Sequence, residues 1–318
     1  MPDFGPFLQS VVVAASIATL AATAIFLFQR RREKDCANLP SAASHAAVLL
    51  AIVVGVALGC MAMSLRPAWP PVNGLDRLLT IILPAAVIVE GLAGWNRVPR
   101  RVVRCLRLAL VAVSGRILLH GSVYLGGPHR SWTSGQAAAV LIAAAITLAT
   151  VWGLLARLFR RSPGVTIVLA PVVSIAGAGM AVMLAGYLKG GSFALPLSAA
   201  LVGAALALSR KDRAGREFRT LDDSILALGV VGLFGVLFIG LFFGRLTVAG
   251  ALVMFFAPTL CWVTELPILR RRSPRIVGTV RLGLIAVPFL IVLAIAKQDF
   301  DRHTAPLLGR SPITAREP

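Results

Sequence analysis

Glu90, Arg116, His120 and Tyr124 have the residue types and spacing to do chemistry inside an otherwise apolar chain. Glu90 lies in the apolar run 77–96. The other three follow at i, i+4 and i+8 in the run 105–125, which puts them along one side of a helix. At such a place an arginine can hold an anionic group, and a histidine can exchange a proton near neutral pH. Charge in the middle of a hydrocarbon layer costs about 2.5–3.5 kcal/mol per residue on insertion scales, so these residues must find a partner or a wet cavity. At 1.5 Å per residue, Glu90 lies roughly 20 Å from the start of its run and Arg116 roughly 16 Å from the start of the next. The two runs are antiparallel neighbours, so the sequence predicts Glu90 and Arg116 at one level and paired. Two uses of that arrangement stay open. One is a polar stripe lining a cavity open to the outside, with Arg116 holding an anionic solute and His120 exchanging a proton. The other is an ion pair that locks two helices together, with His120 and Tyr124 reaching the headgroups as an interfacial belt.

Other constellations are weaker. Thr220 followed by Asp223, with Asp222 between, reads as a helix-capping box or, alternatively, as a cation or proton site. Glu265 can snorkel toward Arg270. Asp299, Asp301 and His303 alternate, but a short strand-like run supplies too few converging ligands, so no metal is expected. His129, Arg130 and Trp132 read as an interface anchor. Cys36, Cys60, Cys105 and Cys261 share no CxxC spacing, and GxSxG, HExxH, Walker and dinucleotide fingerprints are missing. The sequence therefore offers no catalytic residue and no cofactor site.

The elements that must position these residues are membrane helices. Apolar residues make up 58% of the chain and charged ones 14%, and the mean hydropathy is +0.85. A water-facing globule cannot hide that surface. The net charge of +19 is split into short arginine clusters between apolar runs, a spacing that serves topology rather than nucleic-acid binding. Runs long enough to cross a bilayer fall at 7–28, 43–64, 77–96, 105–125, 136–158, 164–187, 192–209, 222–243, 247–266 and 276–296. Arginine-rich loops follow the first, third, fifth, seventh and ninth runs, beginning at Arg30, Arg97, Arg157, Arg210 and Arg270, and the loops between are poor in charge. That alternation predicts an all-α, polytopic bundle of about ten transmembrane helices with both termini outside. It forms one domain over 1–296, with a short polar tail at 297–318, in a cell membrane of bacterial cytoplasmic type.

Small-xxx-small pairs at Gly55/Gly59 and Gly240/Gly244 allow close helix approach, either within the chain or between two copies in a homo-oligomer. A parallel internal repeat is also legible. Arg101 aligns with Arg275, Arg107 with Arg281 and Pro84 with Pro258, and Glu90 falls one residue from the match to Glu265, so that helices three and four answer to nine and ten. The reading that follows is a permease for a small anionic solute. A non-catalytic membrane subunit or scaffold is the alternative, and a membrane-embedded transferase acting on a lipid-linked substrate comes third.

Overall fold

The computed structural model describes residues 12–14, 16, 41–95, 97–126, 131–162, 164–209, 217–270 and 273–303. The run 7–28 with its arginine cluster, Cys36, His129, Arg130, the 210–216 loop and the tail beyond His303 therefore lie wholly or mostly outside the described residues. Every regular element among the described residues is helical. The order is α1 (Ser41–Ala62), α2 (Gly74–Arg77), a π turn (Leu78–Ile82), α3 (Leu83–Ala93), α4 (Arg100–Leu119), α5 (Ser134–Arg161) and α6 (Val165–Leu184). There follow α7 (Leu188–Ser192), α8 (Ala194–Ser209), α9 (Glu217–Phe243), α10 (Val248–Phe256), a 3-10 helix (Ala257–Glu265), α11 (Pro267–Arg270) and α12 (Pro274–His303). Each expected run from 43–64 onward lies mostly on helix, although the run 105–125 leaves it after Leu119. Among the described residues, seven helical spans are long and apolar enough to cross a membrane. The segment from α2 to α3, broken by its π turn, and α4, with five arginines, are not among them.

Two irregularities have local causes. Pro84 carries no N–H, so the turn before it cannot close in the α pattern. A π turn absorbs the mismatch, with the Leu83 N–H donating to the Leu78 carbonyl. Pro258 has a similar effect after α10, where the helix tightens to 3-10 as far as Glu265. A 3-10 helix rises about 2.0 Å per residue against 1.5 Å, so this short span reaches about 31 Å rather than about 27 Å. That is enough to cross a hydrocarbon core of about 30 Å.

The hub is α9. Of its apolar span 89% is buried, against 22% for α5, because α9 packs on α6, α3, α8 and α5 while α5 turns most of its surface outward. Glycines set the closest approach. A Cβ at Gly179 would lie 2.6 Å from the Gly191 carbonyl oxygen, and one at Gly191 would lie 2.4 Å from that of Gly179, so the backbones of α6 and α7 touch. Gly240 and Gly244 are also used inside the chain: a Cβ at Gly240 would strike Val182, and one at Gly244 would strike the Gly240 carbonyl. Gly55 and Gly59 are buried as well. Gly240 and Gly244 therefore serve packing within the chain.

Candidate functional site

Glu90 does not meet Arg116. Its partner is Arg107, whose Nε donates to Oε1 at 2.8 Å and whose Nη2 donates to Oε2 in a two-pronged ion pair. Arg107 Nη1 also donates to Asp223 Oδ2 at 3.2 Å, and the guanidinium lies 5.7 Å from the centre of the Trp152 ring. Ser224 Oγ donates to Glu90 Oε2 at 3.0 Å and lies 3.1 Å from His45 Nε2. Five elements thus converge on one buried cluster: α1 brings His45, α3 Glu90, α4 Arg107, α5 Trp152, and α9 Asp223 and Ser224. Asp223 is therefore an ion-pair partner; the side chain of Asp222 lies outside the described residues.

The physical reason for the exchange of partners is the helical period. Arg107 sits on the face of α4 that carries Val103, Leu110, Val111, Ser114 and Leu118, all buried. Arg116 is nine residues further on, which at 3.6 residues per turn is half a turn away. Depth alone suggested Arg116, and the direction of its side chain excludes it. The boundaries shift in the same sense. The helix carrying Glu90 starts at Gly74 and α4 starts at Arg100, so Glu90 and Arg107 both lie near the arginine-rich end.

At the opposite end, Arg116 and His120 share the wall of a cavity of about 510 Å³ with Tyr124, Trp132, Thr133 and Ser134. The cavity lies between the end of α4 and the start of α5. Its wall contains no carboxylate, and among the described residues no carboxylate pairs with Arg116. Thr133 caps α5 by accepting from the Gln136 N–H, so the positive end of a long helix borders the cavity. Arg116 lies on the last turn of α4 and His120 caps its C-terminus, but Tyr124 lies beyond the helix. α4 ends at Leu119, Gly121 takes a φ of +66° that L side chains rarely adopt, and the chain turns. The turn carries Tyr124 onto Trp132 and Phe242, with ring centres 4.7 and 5.4 Å away, and its hydroxyl donates to the Phe242 carbonyl. Tyr124 thus holds the floor of the cavity to α9 while Arg116 and His120 are exposed within it.

A second ion cluster repeats the first. Arg281 on α12 is 5% exposed and donates to Thr264 Oγ1 at 2.8 Å, Thr166 Oγ1 at 3.1 Å and Glu265 Oε1 at 3.3 Å. Glu265 thus pairs with Arg281 and, more distantly, with Arg161 at 3.9 Å; the side chain of Arg270 lies outside the described residues. In both clusters an arginine near the start of one helix reaches back to a glutamate in an earlier helical segment, 17 and 16 residues before it. Each of those segments is distorted at the aligned proline. Replacing Arg281 with lysine should cost about 1–3 kcal/mol in a denaturant or thermal unfolding titration, because one ammonium cannot serve acceptors spread around a planar fork.

Asp299 lies on α12, which continues through Asp301 to His303, a helix rather than the strand-like run expected; the side chains of Asp301 and His303 lie outside the described residues. Among the described residues no group of three His, Cys, Asp or Glu side chains could hold a metal. The chain matches no known protein family and no characterised protein. Sequence reasoning missed His45, Arg107 and Ser224. The signal available for Arg107 was its place among apolar residues spaced three and four apart; none existed for the other two.

Proposed function

We propose that the chain is a cell-membrane permease for a small anionic solute, crossing the bilayer ten times with both termini outside. The alternation of arginine-rich and arginine-poor loops supports that topology, as does helix at every expected run from 43–64 onward. The observation that carries the solute class is the cavity: Arg116 and His120 line it, no acid opposes them, and the first turn of α5 adds a positive dipole end. The two arginine–glutamate ion pairs lie toward the opposite end, which supports reading the cavity as the outer one. α4 links the two ends, with Arg107 and Arg116 about 14 Å apart along its axis. The recurring ion pair supports a duplicated hairpin, as in transporters built from repeats.

The test is a thermal-shift series on the purified protein in nanodiscs with inorganic phosphate, sulfate, acetate and chloride, followed by uptake of the best anion into proteoliposomes. A specific ligand at a hundred times its Kd adds about 2.7 kcal/mol of stability. Arg116→Gln should weaken that response at least about tenfold without changing stability in its absence. If the wild type and Arg116→Gln respond alike to every anion, and neither carries flux, the permease reading fails. A non-catalytic membrane subunit is then favoured, and the pairing of buried Glu90 with Arg107 and of buried Arg281 with Glu265 agrees with it.

A further inference from the structure

A second cavity, of about 280 Å³, lies in the groove that α5 makes with α9 and α10, at the same end of the molecule as Arg116. Its wall is apolar and holds Phe234, Phe238, Phe242 and Phe255, together with Ala143 and Ala144 of α5. Phe242 joins the two cavities: its ring centre is 5.4 Å from that of Tyr124 and 5.5 Å from that of Trp132, and both of these line the Arg116 cavity. The file of rings continues inward, with Phe238 4.6 Å from Phe242, Phe234 5.1 Å from Phe238 and Phe255 5.8 Å from Phe234. Gly115 is a second meeting point. A Cβ there would lie 3.2 Å from Leu141, which lines the first cavity, and 3.6 Å from Phe238 and 3.9 Å from Ala144, which line the second. A layer of aromatic rings thus divides a polar chamber at the helix ends from an apolar groove that follows α9 for about 12 Å, the rise from Phe242 back to Phe234.

The two chambers suit different chemistry. Arg116 offers a planar fork of donors, His120 offers a ring nitrogen, and the positive end of α5 borders the same space. That is a place for an anionic head. The groove has room for about nine groups of the size of a water molecule, the bulk of one alkyl chain of medium length and not of two. Only 22% of the α5 span is buried, so a chain can enter the groove sideways from the bilayer. Its burial gives the groove no preference over lipid, because lipid tails are equally apolar. The head therefore decides which groove the tail enters.

We infer that the Arg116 cavity and the aromatic groove form one site for a single-chain lipid with an anionic head. The head lies on Arg116 and His120, and the tail runs along Phe242, Phe238 and Phe234. The inference deepens the permease reading and rests on its anion site: the solute becomes an amphiphile drawn from the outer leaflet. No covalent bond changes; the head exchanges water for the arginine fork, and the tail exchanges bilayer for groove.

The test uses decyl phosphate carrying a photoreactive diazirine at the end of its tail, added to the full chain in nanodiscs, with the labelled residues mapped by mass spectrometry. The expected result is label concentrated on 140–147 and 234–255, displaced by unlabelled decyl phosphate and lowered about tenfold by Arg116→Gln, which removes a charged hydrogen-bonding group. Ala143→Trp, at an exposed position where the larger side chain fills the groove, should lower it several-fold. The inference is overturned if the wild-type label spreads over outward-facing helices such as α12, only 28% buried, or if either variant leaves it unmoved. Inorganic phosphate separates this failure from that of the permease reading. If phosphate stabilises the protein through Arg116 while the tail label stays scattered, the anion site stands and the amphiphile falls. If neither phosphate nor decyl phosphate responds to Arg116→Gln, both fall.

Discussion

Replacing Arg107 with leucine should destabilise the protein by about 3–5 kcal/mol, whereas Arg116→Leu should change stability by less than about 1 kcal/mol, both read from unfolding titrations in the same lipid environment. The difference arises from what each arginine leaves behind. Without Arg107, the carboxylate of Glu90, 1% exposed, keeps a single donor in Ser224 and loses its counter-charge, and Asp223 loses its partner too. Removing Arg116 strands no buried acid, because its side chain stands in an open cavity. The double variant Arg107→Leu with Glu90→Leu should recover a large part of the loss, since two apolar side chains need no compensation. Equal destabilisation by Arg107→Leu and Arg116→Leu would show that Glu90 leans on Arg116 after all.

Gly179→Ala should be among the most damaging single-methyl changes in the chain, costing at least about 1–3 kcal/mol and lowering the folded yield. The added Cβ would meet the Gly191 carbonyl oxygen at 2.6 Å and the Ala194 Cβ at 2.4 Å. Neither is the tip of a flexible side chain, so relief requires α6 to move from α7 and α8. Gly153→Ala is the control, because a Cβ there meets nothing within 4 Å, and alanine is the better helix former by about 1 kcal/mol. Thermal melts of the two variants should therefore shift in opposite directions or, at the least, by very different amounts. A small effect at Gly179 would mean that α6 and α7 do not touch through their backbones.

The arginine fork at Arg107 and the open cavity at Arg116 form two polar regions on a shared helix. One is closed and rich in ion pairs, and the other is open and positive. Anion capture at the open end is tested by Arg116→Gln, which removes no contact of the closed one.

What the sequence determined by itself was the all-helical class, the apolar runs long enough to cross a membrane and most helix positions. Apolar runs of bilayer length are local signals, and arginine clusters mark their ends. It also pointed to Arg116 and His120, since their spacing of four places them on one side of a helix whatever packs around it. The partner of Glu90, the removal of Tyr124 from that helix and the gathering of His45, Ser224 and Arg107 were decided by tertiary structure alone. Depth along a helix can be counted from residues, but two side chains meet only if their helices are rotated toward each other. That rotation is set by which faces α9 covers. His45 and Ser224 are 179 residues apart in the chain and 3.1 Å apart in space, a relation no local pattern encodes.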